Sequence, residues 1–341
     1  MSESPSFAVI SGAQVCRAIA HKETEVTGVV RLAYELHGRG ATINPDSYFL
    51  RFPDRPSSRI IALPASVKGD VDVHGIKWIS SFPENVAAGI PRASAVLILN
   101  DTETGYPFAC LESSVISAAR TAASAALAAA ELSDLRGARP TRVGFVGTGL
   151  IARYIHTYLT GNGFTFRELG IHDLAAEHAA GFKHYLERTE PGQITIHDTA
   201  EDLIRSYDLI VFATVAGEPH VIDPRCLAHN PLVLHISLRD LSPEIILSSY
   251  NVLDDVEHCM KAGTSPHRAE QRAGHRDFVA GTLYDVLTGA LRPPADRPVI
   301  FSPFGLGVLD LAVAKYVYDR VAGSRDLHTV PDFFYDMSRY G

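Results

Sequence analysis

The sequence is poor in the features that mark disulfide-stabilised, zinc-stabilised and membrane-spanning proteins. Its 341 residues include four cysteines, Cys16, Cys110, Cys226 and Cys259, which lie far apart and form no C-x-x-C pair. Such spacing excludes a disulfide framework and a zinc ribbon, and it fits a reducing cytoplasm. The N-terminal residues show no signal peptide, and no apolar run approaches the roughly 18 residues of a membrane span.

Positively charged residues are also fewer than negatively charged ones. Lys and Arg total 31 against 39 Asp and Glu, a formal net charge of -8, which argues against nucleic acid or an acidic membrane as a partner. Hydrophobic residues at 46% and charged residues at 21% exclude disordered, collagenous and coiled-coil proteins. The length favours two domains. We therefore expect small ligands, with any anion site confined to a few residues.

The segment 139–302 alternates short apolar runs with helical patterns, as βαβ units do. Because these runs are apolar throughout, they indicate a parallel sheet covered on both faces. The pattern predicts an α/β Rossmann domain, a doubly wound parallel sheet, over 139–302. Strands are expected at 142–146, 168–172, 193–197, 209–213, 233–237 and 251–253, and helices at 151–160, 175–187 and 200–206.

The flanking residues, 1–138 and 303–341, predict a second domain of the α+β class. A helix near 24–37 comes first, an Ala-rich helix follows, and apolar spacing from Leu306 to Val321 predicts a C-terminal helix. The polar segment 259–276 is expected to be a mobile loop. Strands are expected at 47–52, 59–65, 75–80, 93–100 and 106–112, with a hairpin turn at 101–105.

A glycine-rich turn follows the first strand of the predicted Rossmann domain and opens a helix. Gly147 permits the tight turn, Gly149 lets the backbone approach a pyrophosphate, and Ala152 keeps helix and strand close. The helix N-terminus then offers N–H groups to the phosphates. A turn of this kind alone is weak support for a nucleotide site. The expected contacts are Gly147, Thr148, Gly149, Leu150 and Ile151.

Asp173 strengthens the nucleotide interpretation. It ends the second predicted strand, about 20 residues beyond the glycines, where a carboxylate accepts hydrogen bonds from ribose hydroxyls. Leu174 and Ala175 follow, and no Arg stands there to meet a 2′-phosphate. The sequence therefore predicts a dinucleotide cofactor, with NAD preferred over NADP.

Four cations of the first domain, Arg51, Lys77, Arg92 and Arg120, stand beside small residues, glycine or proline. Each alone is more simply interpreted as a solvated surface charge. Arg120 differs because its helix, ISAARTAASAALAAA, has small side chains nearly all round. A guanidinium packed in such a helix requires a carboxylate partner.

Two other chemistries find little support. The chain has 15 histidines, but no H-E-x-x-H or C-x-x-C spacing, so we expect no metal site. Asp254 and Asp255 are expected to cap the turn after a strand. No G-x-S-x-G is present, which argues against an α/β-type hydrolase.

Segments along almost the whole chain resemble the ornithine cyclodeaminase and mu-crystallin family. They are RIIALPA, GIKWISS, PRASAVLILND, TGYP, ISAARTAA, VGTGLIA and SPFGLGVLDLA. GIKWISS, PRASAVLILND and RIIALPA look most like the members that make 2,3-diaminopropionate for siderophores and peptide antibiotics. The resemblance implies a cytoplasmic, NAD-dependent oxidoreductase acting on a CH–NH bond. Its implied reaction is the oxidative hydrolysis of N-(2-amino-2-carboxyethyl)-L-glutamate to 2,3-diaminopropionate and 2-oxoglutarate.

The resemblance also implies roles for individual residues and a homodimer formed through the first domain. Lys77 and Asp240 match catalytic positions, and Arg51 and Arg120 match positions that bind substrate carboxylates. Arg92 matches an Arg of the diaminopropionate enzymes, which fits a substrate with three carboxylates. We expect the cofactor site to include Thr121, Thr214, Val215, Ser237 and Gly305 as well.

Three alternatives stay open from the sequence. A cyclodeaminase-type lyase would use NAD transiently and give no net reduction. Another amino-acid or imine dehydrogenase would act on a smaller amine and leave Arg92 without a carboxylate to bind. A binding protein like mu-crystallin would hold a small ligand without transforming it.

Overall fold

The structure is a computed structural model that describes residues 6–335 of the chain. It divides into two compact units: residues up to Arg120 together with those from Leu306 onward form the first, and Thr121–Gly305 form the second. Each unit contains one eight-stranded sheet. The predicted domain limits, 1–138 with 303–341 and 139–302, stay predictions.

The chain begins with a series of strands framed by helices. In order these are β1 Phe7–Ile10, α1 Gly12–Ile19, α2 Glu23–Gly38, β2 Thr42–Ile43, β3 Tyr48–Phe52, β4 Arg55–Val67, β5 Val73–Ser81, β6 Ala93–Asn100, β7 Pro107–Glu112 and α3 Ser114–Leu135.

Strands and helices then alternate through the second unit, and the chain returns to the first unit at its end. The alternating elements are β8 Arg142–Val146, α4 Leu150–Gly161, β9 Glu168–His172, α5 Ala176–Glu187, β10 Gln193–Ile196, α6 Ala200–Ser206, β11 Leu209–Phe212, β12 Leu232–His235, α7 Pro243–Ser248, β13 Tyr250–Leu253, α8 Val256–Cys259, α9 Ser265–Ala273, β14 Val279–Thr282, α10 Leu283–Leu287 and β15 Val299–Ser302. The last two are α11 Gly307–Ala322 and β16 His328–Val330.

The sheet of the first unit has the order β16-β1-β7-β6-β5-β4-β2, with β3 also paired to β4. Side chains alternate between its two faces, as in any strand. Helix α11 packs on β4, β5 and β6 over a face that buries Val73, Lys77 and Leu97. The opposite face leaves Trp78 and Val96 exposed. The DTETG segment between β6 and β7 forms the predicted turn, in which the Gly105 N–H donates to the Asp101 carbonyl.

The sheet of the second unit has the order β10-β9-β8-β11-β12-β15-β13-β14, and all its neighbouring strands run parallel. The chain passes from β8 to β9 and β10 on one side, then crosses to β11 and β12 on the other. The carboxyl ends of β8 and β11 therefore form the switch point at which such sheets bind ligands. The predicted Rossmann sheet and the α+β class of the other unit are confirmed.

The structure also corrects the sequence interpretation in places. β14 and β15 had no prediction, although β15 lies between β12 and β13. The segment 259–276 is not a loop throughout, because α9 occupies its centre. The Thr264 hydroxyl caps that helix by accepting the His267 N–H at 3.1 Å, and Pro266 stands in the first turn. Both are ordinary signals for the start of a helix.

Helix α3 is long and apolar enough to cross a membrane by length and composition alone, but 67% of its most apolar window is buried within the protein. The core helix of a folded domain meets the same criterion. The small side chains of α3 are buried at many positions, such as Ala122, Ala125 and Ala128.

Three charged side chains from three elements meet in the interior of the first unit. The Lys77 ammonium donates to the Asp310 carboxylate at 2.6 Å, and the Arg120 guanidinium donates to its other oxygen at 3.1 Å. The side chains of Lys77 and Asp310 are 2% and 0% exposed, and that of Arg120 is 13% exposed. We call Lys77, Arg120 and Asp310 the buried charge cluster. It ties β5, the first part of α3 and α11 together.

We predict that Asp310→Asn destabilises the protein by about 3–5 kcal/mol, because it leaves two buried cations without a carboxylate. Urea unfolding followed by circular dichroism measures the change. Asp319→Asn is the matched control, since Asp319 pairs with Lys315 at 2.7 Å on the exposed side of the same helix and should cost less than about 1 kcal/mol. Equal losses for the two variants would contradict the prediction.

Candidate active site

The buried charge cluster carries a net positive charge. It contains two cations, and within residues 6–335 their one carboxylate partner is Asp310. Burial lowers the pKa of Lys77 to about 8, although the Asp310 carboxylate opposes the shift. A buried, unbalanced cation is unfavourable unless an anion joins it. The cluster is therefore suited to binding a carboxylate of a ligand.

In the sheet of the first unit, a row of arginines lies on the face that carries Lys77. Arg51 stands opposite Arg59, which stands opposite Ser81, and the Arg92 guanidinium donates to the Ser81 hydroxyl at 2.9 Å. Ser81 shares a face with Lys77 because they are four residues apart on β5, about 13 Å at the usual rise per residue. We call Arg51, Arg59 and Arg92 the arginine row. The structure does not bring the row into contact with Lys77.

The arginine row has cations to offer to a ligand. Arg51 is exposed and lies 5.1 Å from the centre of the Phe49 ring, and Arg92 is half-buried. In the part of the chain that the structure describes, neither Arg51 nor Arg92 has a carboxylate partner. Arg51 and Arg92 therefore suit further anionic groups of a ligand.

The glycine-rich turn after β8 has the geometry that its sequence predicts. Gly147 adopts φ +86°, and a Cβ there would lie 2.6 Å from the Ala213 carbonyl oxygen. Gly149 faces open space and precedes α4, whose first turn has no side-chain cap. Leu150 and Ile151 are both at least partly exposed. Their N–H groups therefore begin the helix without a side-chain acceptor. That arrangement fits a bound pyrophosphate.

Asp173 lies directly after β9 and joins this turn. It accepts from the Thr148 N–H and hydroxyl at 2.9 and 2.6 Å, and from the Ala175 N–H at 3.0 Å. Burial opposes ionisation, but these donors hold the pKa of Asp173 below its ordinary value. A carboxylate accepts from about four donors, so one acceptor position remains for a ribose hydroxyl.

Two apolar side chains near this turn are strongly exposed. Leu174, next to Asp173, is 99% exposed, and Val215, which follows β11, is 79% exposed. The flat face of a nucleotide base would give both side chains a surface to pack against. Gly147, Thr148, Gly149, Asp173 and Leu174 together fit the phosphate, ribose and base of a dinucleotide.

Asp240 is fully buried at the carboxyl end of the sheet, among hydrogen-bond donors. The Thr214 and Ser237 hydroxyls both donate to its carboxylate at short range, and His220 Nε2 lies 3.1 Å from it. The His220 and Val221 N–H groups also donate to the Asp240 carbonyl at 3.0 and 2.9 Å. The structure thus brings the predicted residues Asp240, Thr214 and Ser237 together.

A second imidazole lies on the other side of Asp240. His235 Nε2 is 3.2 Å from the Asp240 backbone nitrogen and 3.3 Å from its carboxylate. His235 Nδ1 lies 3.2 Å from the Ser302 hydroxyl. Burial works to raise the pKa of Asp240, but the surrounding donors, His220 foremost, outweigh it and hold that pKa well below its ordinary value. Asp240 is therefore held as a carboxylate.

The loop that carries Asp240 contains a residue in an uncommon conformation. Leu238 is buried and has φ +70°, in the left-handed region that disfavours residues other than glycine. Its carbonyl accepts the Ser265 N–H at 2.7 Å. Conformations of this kind concentrate where the surrounding structure holds a functional group in place.

Thr121 and Gly305 are the last two residues predicted for the cofactor site. Thr121 follows Arg120 on α3 and is half-buried. Gly305 has φ +93°, and its N–H donates to the buried Asp254 carboxylate at 2.7 Å. Their assignment to the cofactor site stays a prediction. Asp255 caps α8 as expected, by accepting the His258 N–H at 2.9 Å.

Sequence reasoning missed Asp310 and both histidines beside Asp240, His220 and His235. Asp310 had a signal, because it is the one charged residue in the run GVLDLAVA of a helix whose neighbouring positions are apolar. His220 had none, since it is one histidine among 15 and its partner is 20 residues away.

Known proteins resemble this chain along most of its length. It is 26% identical over 270 residues to N-((2S)-2-amino-2-carboxyethyl)-L-glutamate dehydrogenase of Staphylococcus aureus, covering 77% of this chain and 79% of that protein. It is 27% identical over 317 residues to alanine dehydrogenase of Archaeoglobus fulgidus, covering 91% and 94%. The solved structure of an archaeal alanine dehydrogenase dimer with bound NAD superimposes with a TM-score of 0.85 at 25% identity, covering 96% of this chain and all of that one.

The sequence profile of one family accounts for nearly the whole chain. The profile of the ornithine cyclodeaminase/mu-crystallin family matches residues 14–325, which include the charge cluster, the arginine row, the glycine-rich turn and Asp240. The predicted family is confirmed, and the chain belongs to the ornithine cyclodeaminase/mu-crystallin family.

Proposed function

We propose that the protein oxidatively hydrolyses N-(2-amino-2-carboxyethyl)-L-glutamate to L-2,3-diaminopropionate and 2-oxoglutarate. The observation that carries the proposal is the excess of cations on one sheet face: the buried charge cluster together with Arg51 and Arg92 of the arginine row. A substrate with three carboxylates uses such a face, whereas alanine has one. The similarity to the staphylococcal dehydrogenase points to the same reaction.

The protein is an NAD-dependent oxidoreductase that acts on a CH–NH bond. Gly147, Gly149 and the first turn of α4 suit the pyrophosphate, and Asp173 suits the adenosine ribose. Bound NAD supplies a two-electron hydride acceptor. The remaining chemistry, which is binding, orientation and proton movement, falls to the side chains of the chain.

Each cluster has a role in this reaction. Arg120 and Lys77 bind one substrate carboxylate, and Arg51 and Arg92 bind others; charged hydrogen bonds of this kind fix the reacting carbon in position. Oxidation of the C–N bond gives an imine, to which water adds, and the carbinolamine collapses to the keto acid and the primary amine. Asp240 accepts the proton that leaves the amine and later the proton of the attacking water; because its carboxylate is buried, these protons reach it through the Thr214 and Ser237 hydroxyls that donate to it.

Incubation with NAD and the aminocarboxyethyl-glutamate tests the function. We expect equal amounts of NADH, 2-oxoglutarate and 2,3-diaminopropionate. Arg92→Ala should raise KM about 10- to 100-fold, since a charged hydrogen bond contributes about 1.5–3 kcal/mol. Arg225→Ala is the matched control, because Arg225 is an exposed arginine of the other unit paired with Asp223.

Other products would identify the alternatives. Alanine oxidised with no response to the tricarboxylate would indicate an alanine dehydrogenase, and Arg92→Ala would then have no effect. Proline and ammonia formed from ornithine without NADH would indicate a cyclodeaminase. Tight binding of a small ligand without turnover of any amine would indicate a binding protein.

The lowered pKa of Lys77 predicts how substrate binding depends on pH. Protonated Lys77 attracts a carboxylate, and this charge is lost as the pH rises through about 8. We therefore expect KM to rise above pH 8, by up to tenfold per pH unit. In Lys77→Arg the cation persists, so its KM should stay flat from pH 7 to 9.5. A flat profile in the unmodified protein would contradict this role.

We further propose that the protein is a homodimer formed through the outer face of the first unit's sheet. Tyr48, Ala62, Trp78 and Val96 lie side by side across β3, β4, β5 and β6. Three of them are exposed, by 72%, 43% and 43% for Tyr48, Trp78 and Val96. A second copy of the same face would cover this apolar row. The cytoplasmic location stays a prediction.

Trp78→Glu should convert the dimer to a monomer, because a carboxylate in the middle of the apolar row has no partner in the interface. Light scattering coupled to size-exclusion chromatography measures the mass. Glu103→Gln, in the exposed turn between β6 and β7, is the control and should remain a dimer. A monomeric unmodified protein would overturn the assignment.

A further inference from the structure

We propose that His220 is the proton-relay partner of Asp240: the carboxylate takes a proton at the buried end, and the imidazole exchanges it with solvent. This inference rests on the proposed function, since it assigns the proton path of that reaction. His220 acts through Asp240, so we assign it as a positioning and relay residue.

The backbones of the two residues are paired with each other. Val221 and Leu241 form an isolated parallel bridge, and the His220 and Val221 N–H groups donate to the Asp240 carbonyl. The imidazole Nε2 lies 3.1 Å from the carboxylate. The bridge therefore keeps the two residues next to each other in the fold, within reach of this side-chain contact.

Exposure distinguishes the two ends of the pair. The Asp240 side chain is 0% exposed, whereas that of His220 is 39% exposed. A proton accepted by Asp240 has no direct contact with bulk water. His220 supplies the step from the buried carboxylate to the solvent, through a ring that can bind a proton at one nitrogen and release it from the other.

The second imidazole near Asp240 is not free to serve in this way. His235 Nε2 lies 3.2 Å from the Asp240 backbone nitrogen and 3.3 Å from its carboxylate. The His235 side chain is 0% exposed, and its other ring nitrogen, Nδ1, lies 3.2 Å from the Ser302 hydroxyl. A histidine enclosed in this way helps to position Asp240 but does not reach the solvent.

The charged groups around His220 are engaged elsewhere. Glu218, two residues earlier, pairs with Arg268 of α9. Arg239, next to Asp240 in the chain, donates to the Ala262 carbonyl at 2.7 Å. The other ring close to His220 is that of Phe212, 6.4 Å away between centres. Among these neighbours, Asp240 is the carboxylate that faces the imidazole.

The reaction needs such a path because it releases a proton. With the amine written as R₂CH–NH₂⁺–R′, the balance is R₂CH–NH₂⁺–R′ + NAD⁺ + H₂O → R₂C=O + R′NH₃⁺ + NADH + H⁺. The carbon is oxidised by two electrons, NAD is reduced by two, and the C–N bond is replaced by C=O. Because donors hold the pKa of Asp240 low, the carboxylate retains a proton only briefly and must pass it on.

Substitutions at His220 test the relay. His220→Gln keeps a hydrogen-bond donor to Asp240 but cannot exchange a proton, so kcat should fall about 100-fold while KM and the NAD dissociation constant change less than threefold. Adding imidazole to His220→Ala should raise the kcat of that variant at least tenfold. His229→Gln is the matched control, because His229 contacts the Tyr207 carbonyl at 2.8 Å in the same unit; its rate should be unchanged.

Two kinetic results would overturn the relay: a kcat within threefold of the unmodified protein in His220→Gln, or a loss in His220→Ala that imidazole does not restore. NMR of the nucleotide-free protein gives a readout that needs no substrate. Asp240→Asn should move the His220 Nε2 resonance and leave that of His229 in place. If the unmodified protein oxidises no amine, the proposed function fails, and an unmoved His220 resonance separately overturns the relay.

Discussion

Placing Lys77 and Arg120 against the single carboxylate of Asp310 constrains the whole first unit. Removing an ion from water costs several kcal/mol, which the partners recover only when their geometry is good. The sheet and α11 must therefore approach closely, and they do: a Cβ added to Gly75 would lie 2.9 Å from the Leu311 side chain. The packing of this unit thus holds a charge cluster that is suited to binding an anion of a ligand.

In the second unit, the buried carboxylate of Asp240 has a different kind of partner. Asp310 is held by two cations, whereas the partners of Asp240 are hydroxyls and imidazoles from β11, β12 and the loops that follow them. Hydroxyl and imidazole donors stabilise a carboxylate without fixing a permanent positive charge beside it. Asp310 therefore suits a static binding role, and Asp240 suits a role in which protons pass through.

Much of the fold could be predicted from local patterns, and the site only in part. The strands 142–146 and 168–172 have the predicted bounds because both are short apolar runs ended by a turn signal. β15 was missed because its order in the sheet depends on contacts with β12 and β13, which are distant in sequence. Arg120 was correctly singled out as a cation that needs a carboxylate, but nothing local to α3 identified Asp310, 190 residues away. The contact of His220 with Asp240 likewise depends on a backbone bridge that no spacing rule predicts.

Leu238 marks a place where the protein gives up stability to hold the loop that carries Asp240. A residue other than glycine in the left-handed region costs of order 1 kcal/mol, and glycine would remove that cost. A glycine would also loosen the turn between Ser237 and Asp240, because it adopts many more conformations. Attempts to raise the melting temperature of this protein should therefore leave position 238 alone, even though it is one of the few sites where a single substitution relieves backbone strain.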